Sequence, residues 1–203
     1  MTAADYLPER HTLPVLREVV QRCRGCDLYK YATQAVFGEG PKSSSILFIG
    51  EQPGDEEDKA GHPFVGPSGR LFNRALEEAG IDRTEVFVTN AVKHFKFEER
   101  GKRRLHKKPS AGETNACRPW LEAEIEVVKP EVLVALGATA AQSVFGRAYR
   151  VTQERGKFVE HIWAKHATST VHPSSILRAP DEDQRHMEYQ RFVEDLIKVR
   201  SIR

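Results

Sequence analysis

Two kinds of apolar pattern alternate along the chain. Ile46-Leu47-Phe48-Ile49-Gly50, Val86-Phe87-Val88-Thr89-Asn90, Val132–Leu136 and Ala167–Val171 are short apolar runs bounded by turn-forming or polar residues. Such runs predict strands buried on both faces. Between them, apolar residues recur at helical spacing. Leu13, Leu16, Val19 and Val20 mark a first helix reaching about Gln21. Leu71, Phe72, Ala75 and Leu76 follow a capping Ser68 and stop at Gly80, and Tyr189, Phe192, Val193, Leu196 and Ile197 form a strongly amphipathic last helix. Ser110 and Glu113 fit a capping box. The helix they open is expected to break at Pro119, whose ring removes a backbone donor, and to resume through Trp120, Leu121, Ile125 and Val128 before Pro130. Gly137 leads into a short Ala-rich helix ending near Gly146. Residues 147–166 give no assignment beyond a hairpin arm at Lys157-Phe158-Val159, and the stretches after Gly50 and Asn90 read as loops.

Strand alternating with helix argues for an α/β fold with a parallel sheet covered on both faces. In such sheets a ligand sits outside the carboxyl ends of the strands. Glu51-Gln52, Asn90 and His172 each fall at the carboxyl end of a different strand, so they are expected to converge although far apart in sequence.

Composition narrows the class. The chain has 203 residues, 30% charged and 39% hydrophobic, which suits one globular domain over residues 1–203. The longest nearly apolar run, Val132 to Ala141, is too short to cross a bilayer. The first ten residues carry acids and a proline and lack the apolar core of a signal peptide. A cytoplasmic, non-membrane monomer is expected. Three cysteines in a reducing compartment make disulfides unexpected, and Cys23-Arg24-Gly25-Cys26 points to metal or redox chemistry. The net charge is only +2, yet Lys93 to Lys108 holds eight Lys/Arg against Glu98 and Glu99, which is +6 within sixteen residues and leaves −4 for the remainder. Inside that segment stands Lys102-Arg103-Arg104-Leu105-His106.

The converging residues have a chemistry in common. The Asn90 carboxamide offers an acceptor and donors that match a carbonyl beside an N–H, as uracil presents. Phe64 could stack on such a base. His172 could donate to a carbonyl on which charge builds as the bond to the sugar breaks. Glu51 suits a cationic sugar or a proton transfer, and Pro53-Gly54 turns the backbone tightly. Taken singly, Asn90 is more often a turn residue, Phe64 core packing and His172 an ordinary hydrogen-bonded histidine. Together, at the ends of successive strands, they favour a site.

Gly50-Glu51-Gln52-Pro53-Gly54-Asp55, Gly61-His62-Pro63-Phe64-Val65-Gly66-Pro67-Ser68-Gly69, Thr89-Asn90-Ala91-Val92-Lys93 and His172-Pro173-Ser174-Ser175, in that order, resemble the uracil-DNA glycosylase superfamily, closest to its iron–sulfur branch. Gly50–Gly54 and Lys102–His106 further resemble the cross-linking, UdgX-type members of that branch, with Leu105 where isoleucine is usual. The resemblance implies a three-layer α/β/α fold with a central four-stranded parallel sheet. It implies uracil-containing DNA as partner, single strands preferred, with Lys102, Arg103, Arg104 and Lys107 on phosphates. It assigns uracil recognition to Gln52, Asp55, Phe64, Asn90 and His172, activation to Glu51, and a covalent bond to the abasic sugar to His106. Arg103 and Arg104, as like charges, are expected to favour the neutral imidazole that can act as nucleophile. For Cys23, Cys26 and Cys117, spacing leaves zinc and iron–sulfur both open, since three thiolates and an imidazole suit either. The resemblance implies a 4Fe–4S cluster with His94 as fourth ligand.

Overall fold

The computed structural model describes residues 2–202. In chain order the helices and strands are α1 (Leu13–Val19), β1 (Ile46–Gly50), α2 (Asp55–Ala60), α3 (Pro67–Glu78), β2 (Phe87–Asn90), β3 (Phe97–Arg100), β4 (Arg103–His106), α4 (Ala111–Val128), β5 (Val132–Leu136), α5 (Ala138–Phe145), α6 (Val151–Glu154), β6 (Val159–His161), β7 (Ala164–Thr170), α7 (Pro173–Leu177) and α8 (Glu182–Ile202).

The central sheet has five strands in the order β2-β1-β5-β7-β6. The four expected strands pair in parallel, with Gly50 opposite Asn90 and Val132 opposite His166. The fifth, β6, is an antiparallel edge joined to β7 by the turn at Ile162-Trp163. The sheet is therefore mixed where four parallel strands were expected. Three residues of β6 are too few to show a period. On the opposite edge, Glu39 bridges Val88 through a reciprocal pair of 2.8 Å backbone hydrogen bonds, which covers the outer side of β2.

Strand alternation divides the core. Leu47, Ile49, Leu133 and Ala135 face a cluster built with α1, α4 and α5, including Leu16 and the fully buried Trp120. Ile46, Phe48, Val134 and Leu136 face Phe72 and Leu76 of α3, Ile176 of α7 and Phe192 and Leu196 of α8. This is the expected three-layer α/β/α arrangement.

Three local expectations change. The helix α4 runs straight through Pro119. The ring costs the bond to the Asn115 carbonyl, but Asn115 is exposed, so that oxygen reaches water while Cys117, Trp120 and Leu121 bury the opposite face. Residues 55–60 are helical, begun by four acids in the first turn, which suits a helix N-terminus. The basic segment is a hairpin, β3 against β4, separate from the main sheet. Its turn is Gly101-Lys102, and Gly101 has φ of 62°, the left-handed region that glycine enters freely.

Candidate active site

The carboxyl ends of β1, β2, β5 and β7 meet at one edge of the sheet, and the functional side chains gather there. Gly50 lies opposite Asn90, and a Cβ at Gly50 would stand 2.3 Å from Asn90 Oδ1 and 2.9 Å from Phe64 Cζ. The bare glycine is what lets those two side chains cross the end of β1. Asn90 is 3% exposed, and its backbone carbonyl accepts from Lys93 Nζ at 2.7 Å. Phe64 is buried, with its ring centroid 5.1 Å from that of Phe72. It holds φ of 59°, a left-handed conformation that a bulky residue adopts only where its surroundings enforce it, as at binding sites. The loop around it is pinned by Glu57, whose carboxylate accepts from Gly54 N at 3.0 Å and Gly66 N at 2.7 Å.

Glu51 and His172 form the polar side of the site. One Glu51 oxygen accepts from Thr139 Oγ1 at the start of α5, and the other stands 3.3 Å from His106 Nε2. Burial raises the Glu51 carboxyl, but the bonds from His106 and Thr139 outweigh it and hold the group below the usual carboxylate value. Glu51 is therefore an anion at neutral pH. Burial pushes His172 down to about 4, against the attraction of Glu51, so its ring is neutral. Its Nδ1 accepts from Ser174 N at 3.1 Å, which places the ring proton on Nε2. His172 is thus a neutral N–H donor next to a fixed carboxylate.

His106 ends β4 with its side chain half exposed. Two devices fix its hairpin. Arg104 Nε reaches Asp55 Oδ1 at 2.5 Å and its Nη1 reaches the fully buried Asp58 Oδ2 at 2.6 Å, while its guanidinium lies over Phe97 and Phe95 at 4.9 and 5.5 Å. The Gln52 carboxamide reaches both arms of the hairpin, donating to Lys96 O at 3.0 Å and Lys107 O at 3.1 Å and accepting from Lys96 N at 3.1 Å.

Two assignments change in this setting. Asp55 is spent on Arg104 and Lys59; burial raises its carboxyl, and those bonds outweigh it to hold the group low. Arg104 is tied to two carboxylates, so it is placed as a brace rather than a free phosphate contact, and its charge is offset where it was expected to act on His106. Of the eight cations in the segment, Lys93 is fully buried against Glu124, Lys96 pairs with Glu113, and Lys107 lies 3.7 Å from Glu98. Arg100, Lys102, Arg103 and Lys108 are exposed and make no ion pair among the described residues. Thr139, Asp58 and Ser174 complete the site; Thr139 carried no signal in the sequence, and Ser174 was marked only as part of the His172–Ser175 motif. Asp58 could have been suspected as the residue one helical turn after Asp55.

The cysteine region lies behind this site. Cys23 and Cys117 are buried, Cys26 is half-buried, and all three are free thiols. Burial pushes Cys117 up to about 12 and raises Cys26; Cys117 feels both Cys26 and Cys23, and Cys26 feels Cys23. Burial pushes His94 down to about 4, so the imidazole is neutral. Lys93 N–H donates to Cys117 Sγ at 3.3 Å, joining the residue before His94 to α4. The donor chemistry, three thiols and a neutral imidazole, fits a cluster or zinc. Among the described residues, no three His, Cys, Asp or Glu side chains stand close enough to hold a metal ion. No helix among them is long and apolar enough to cross a membrane.

A family model described as the Uracil DNA glycosylase superfamily matches residues 37–197. The chain belongs to the uracil-DNA glycosylase superfamily. Curated relatives agree. It is 38% identical over 190 residues to a type-4 uracil-DNA glycosylase of Thermotoga maritima, covering 93% of each chain. Enzymes of the same name from Sulfurisphaera tokodaii and Pyrobaculum aerophilum are 33% and 35% identical. They cover 84% and 83% of this chain, and it covers 78% and 86% of theirs. The matched span of the superfamily runs from just before Glu39 into α8 and contains every strand-end residue described above.

Proposed function

We propose that the protein excises uracil from DNA and is then captured on the abasic sugar by His106. The observation that carries this reading is the 3.3 Å approach of His106 Nε2 to Glu51 Oε1 at the strand-end pocket, on a hairpin braced by Arg104 and Gln52. A phosphate clamp needs cations and no histidine held against an anion.

The chemistry follows from the residues. Uracil leaves the base stack, at a cost lowest in single strands. It enters against Phe64 and is read by Asn90. The C1′–N1 bond breaks with its electron pair going to the base, and the anion forming on the uracil carbonyl is met by the Nε2–H of His172. Ionised Glu51 offsets the positive charge growing on the sugar. His106 Nε2 gives its lone pair to C1′ as its proton passes to Glu51, and that proton then goes to the departing uracil or to solvent. The product is a neutral N-alkylated imidazole with no leaving group better than the one lost, so each molecule turns over once. Lys102 and Arg103, with Arg100 and Lys108, are free to hold phosphates. Cys23, Cys26, Cys117 and His94 would hold a 4Fe–4S cluster, which would supply a structural tie between the N-terminal segment, α4 and the start of the hairpin.

A second reading, a multiple-turnover glycosylase, is favoured by the name that the relatives carry. Denaturing electrophoresis on a uracil-containing oligonucleotide separates the two. Capture gives a heat-stable protein–DNA band that His106→Ala abolishes, with slow uracil release continuing as water enters. Free abasic DNA beyond one equivalent, with no band, gives the second reading.

A further inference from the structure

We infer that Thr139 is a positioning residue for Glu51: its hydroxyl holds one carboxylate oxygen and so keeps the other turned towards His106. This deepens the part proposed for Glu51 and rests on it. Of the four parallel strands, β5 is the one whose carboxyl end supplied no expected site residue. The turn that follows it nevertheless reaches both polar groups of the site. Gly137 N donates to Thr170 O at 2.8 Å, which ties the turn to the end of β7. Gly137 holds φ of 85°, and a Cβ there would stand 2.8 Å from His172 Cβ, so the bare glycine lets His172 pass close by. Two residues on, in the first turn of α5, Thr139 is 6% exposed and its Oγ1 donates to one Glu51 oxygen. The other Glu51 oxygen stands 3.3 Å from His106 Nε2.

The two oxygens therefore have different partners. A carboxylate only accepts and a hydroxyl has one hydrogen to give, so the bond runs from Thr139 to Glu51 and favours the ionised form. Thr139 is β-branched, and few side-chain rotamers are open to it in a helix, so its hydroxyl has a set direction. The origins of the two bonds also differ. His106 comes from a hairpin separate from the main sheet, whereas Thr139 directly follows the β5–α5 turn and is fixed with the sheet itself. The titratable groups that face Glu51 are His106, from β4, and His172, from the start of α7; α5 carries no charged side chain. Burial works to raise the Glu51 carboxyl, and the bonds from His106 and Thr139 work against it. Once His106 spends its lone pair on the sugar, the Thr139 bond is the one that still aligns the carboxylate.

The test is Thr139→Val, which keeps the shape and removes the hydroxyl. Uracil release from an oligonucleotide is followed in single turnover from acid to neutral pH. The Glu51 carboxyl carbon is titrated in parallel by NMR, its signal identified by its loss in Glu51→Gln. At neutral pH release is expected to slow about tenfold, because orientation of a catalytic group is worth factors of this size. The acid midpoint of release and the Glu51 titration are both expected to move up towards neutrality, since the ionised form has lost a donor. Thr139→Ser, with the hydroxyl but not the methyl, should recover most of the rate and the original midpoint. Thr139→Ala serves in place of Thr139→Val if the latter does not fold. An unmoved midpoint, or neutral-pH release within about threefold of the original, would overturn the inference, since Thr139 would then only pack. So would Thr139→Ser as impaired as Thr139→Val. If Glu51→Gln releases uracil as fast as the unaltered protein, the part proposed for Glu51 fails by itself. The Thr139 bond is then judged on the NMR titration alone: a raised Glu51 midpoint in Thr139→Val sustains it, and an unmoved one overturns it.

Discussion

Replacing Gly50 with alanine isolates the geometry of the base pocket from the rest of the fold. Gly50 is not among the glycines with positive φ, so alanine meets no backbone penalty there. Its Cβ would stand 2.3 Å from Asn90 Oδ1 and 2.9 Å from Phe64 Cζ. Ordinary contacts are near 3.5 Å, so the carboxamide must retreat by about 1 Å and the ring by somewhat less. A misplacement of about 1 Å at a reacting centre costs on the order of a hundredfold in rate. Overpacking of a core position costs about 1–3 kcal/mol of stability. Gly50→Ala is therefore expected to release uracil roughly a hundredfold more slowly in a single turnover, with the melting temperature lowered by several degrees. Gly101→Ala is the matching control. It forces φ of 62° on a non-glycine residue, but its Cβ meets nothing within 4 Å. Stability should fall slightly and excision should stay as it was. A Gly50→Ala protein with excision within about threefold of the original would refute the placement of Asn90 and Phe64 as the pocket wall.

Other perturbations follow from the same geometry. Lys93→Met strands Glu124, fully buried, without its 2.6 Å partner and should cost about 3–5 kcal/mol in denaturant melts, with most of it recovered in Lys93→Met/Glu124→Leu; equal loss in both proteins would count against the pair. Lys102→Ala and Arg103→Ala should each reduce the log–log salt slope of DNA binding by about 1, whereas Arg104→Met should destabilise the protein and leave that slope unchanged; a reduced slope for Arg104→Met would return it to the phosphate contacts. His172 lies at about 4 in the fold against an ordinary 6.5. The unfolded chain therefore binds the extra proton first, and stability falls as pH drops from about 6.5 towards 4, by at most about 3 kcal/mol. Urea titrations across that range should show the loss and its reduction in His172→Asn. Glu51 is held below the usual carboxylate value, so excision should stay level through neutral pH and fall only under strongly acid conditions; a midpoint near neutrality would exclude Glu51 as the working anion.

The strand-end residues were legible in the sequence because a parallel α/β sheet fixes where strands finish. Glu51, Asn90 and His172 could be placed together from three apolar runs alone. The hairpin was not legible in the same way. Its strands are four residues each and mostly exposed, so no apolar period marks them, and dense charge reads as a solvated loop. Charge also misled about Arg104. Composition counts it as one of eight free cations, while the fold places Asp55 and Asp58 beneath it. Gln52 was expected at the base, and its bonds to Lys96 and Lys107 were not foreseen. A carboxamide's partners are set by backbone carbonyls more than forty residues away, and no local pattern announces those. Pro119 shows the converse, a strong local signal overridden by burial on the far face of α4.

The hairpin's attachment has a consequence for how this chemistry could be gained or lost. Lys96 and Lys107 already face each other across a hydrogen bond, and the ten residues between them pair only with one another as strands. Removing them would leave two chain ends that a tight turn could join, with both core clusters, the sheet and the base pocket intact. The base pocket and the proposed capturing histidine are thus carried on different parts of the chain. The ten-residue hairpin is therefore a unit that could be exchanged without altering the pairing of the main sheet.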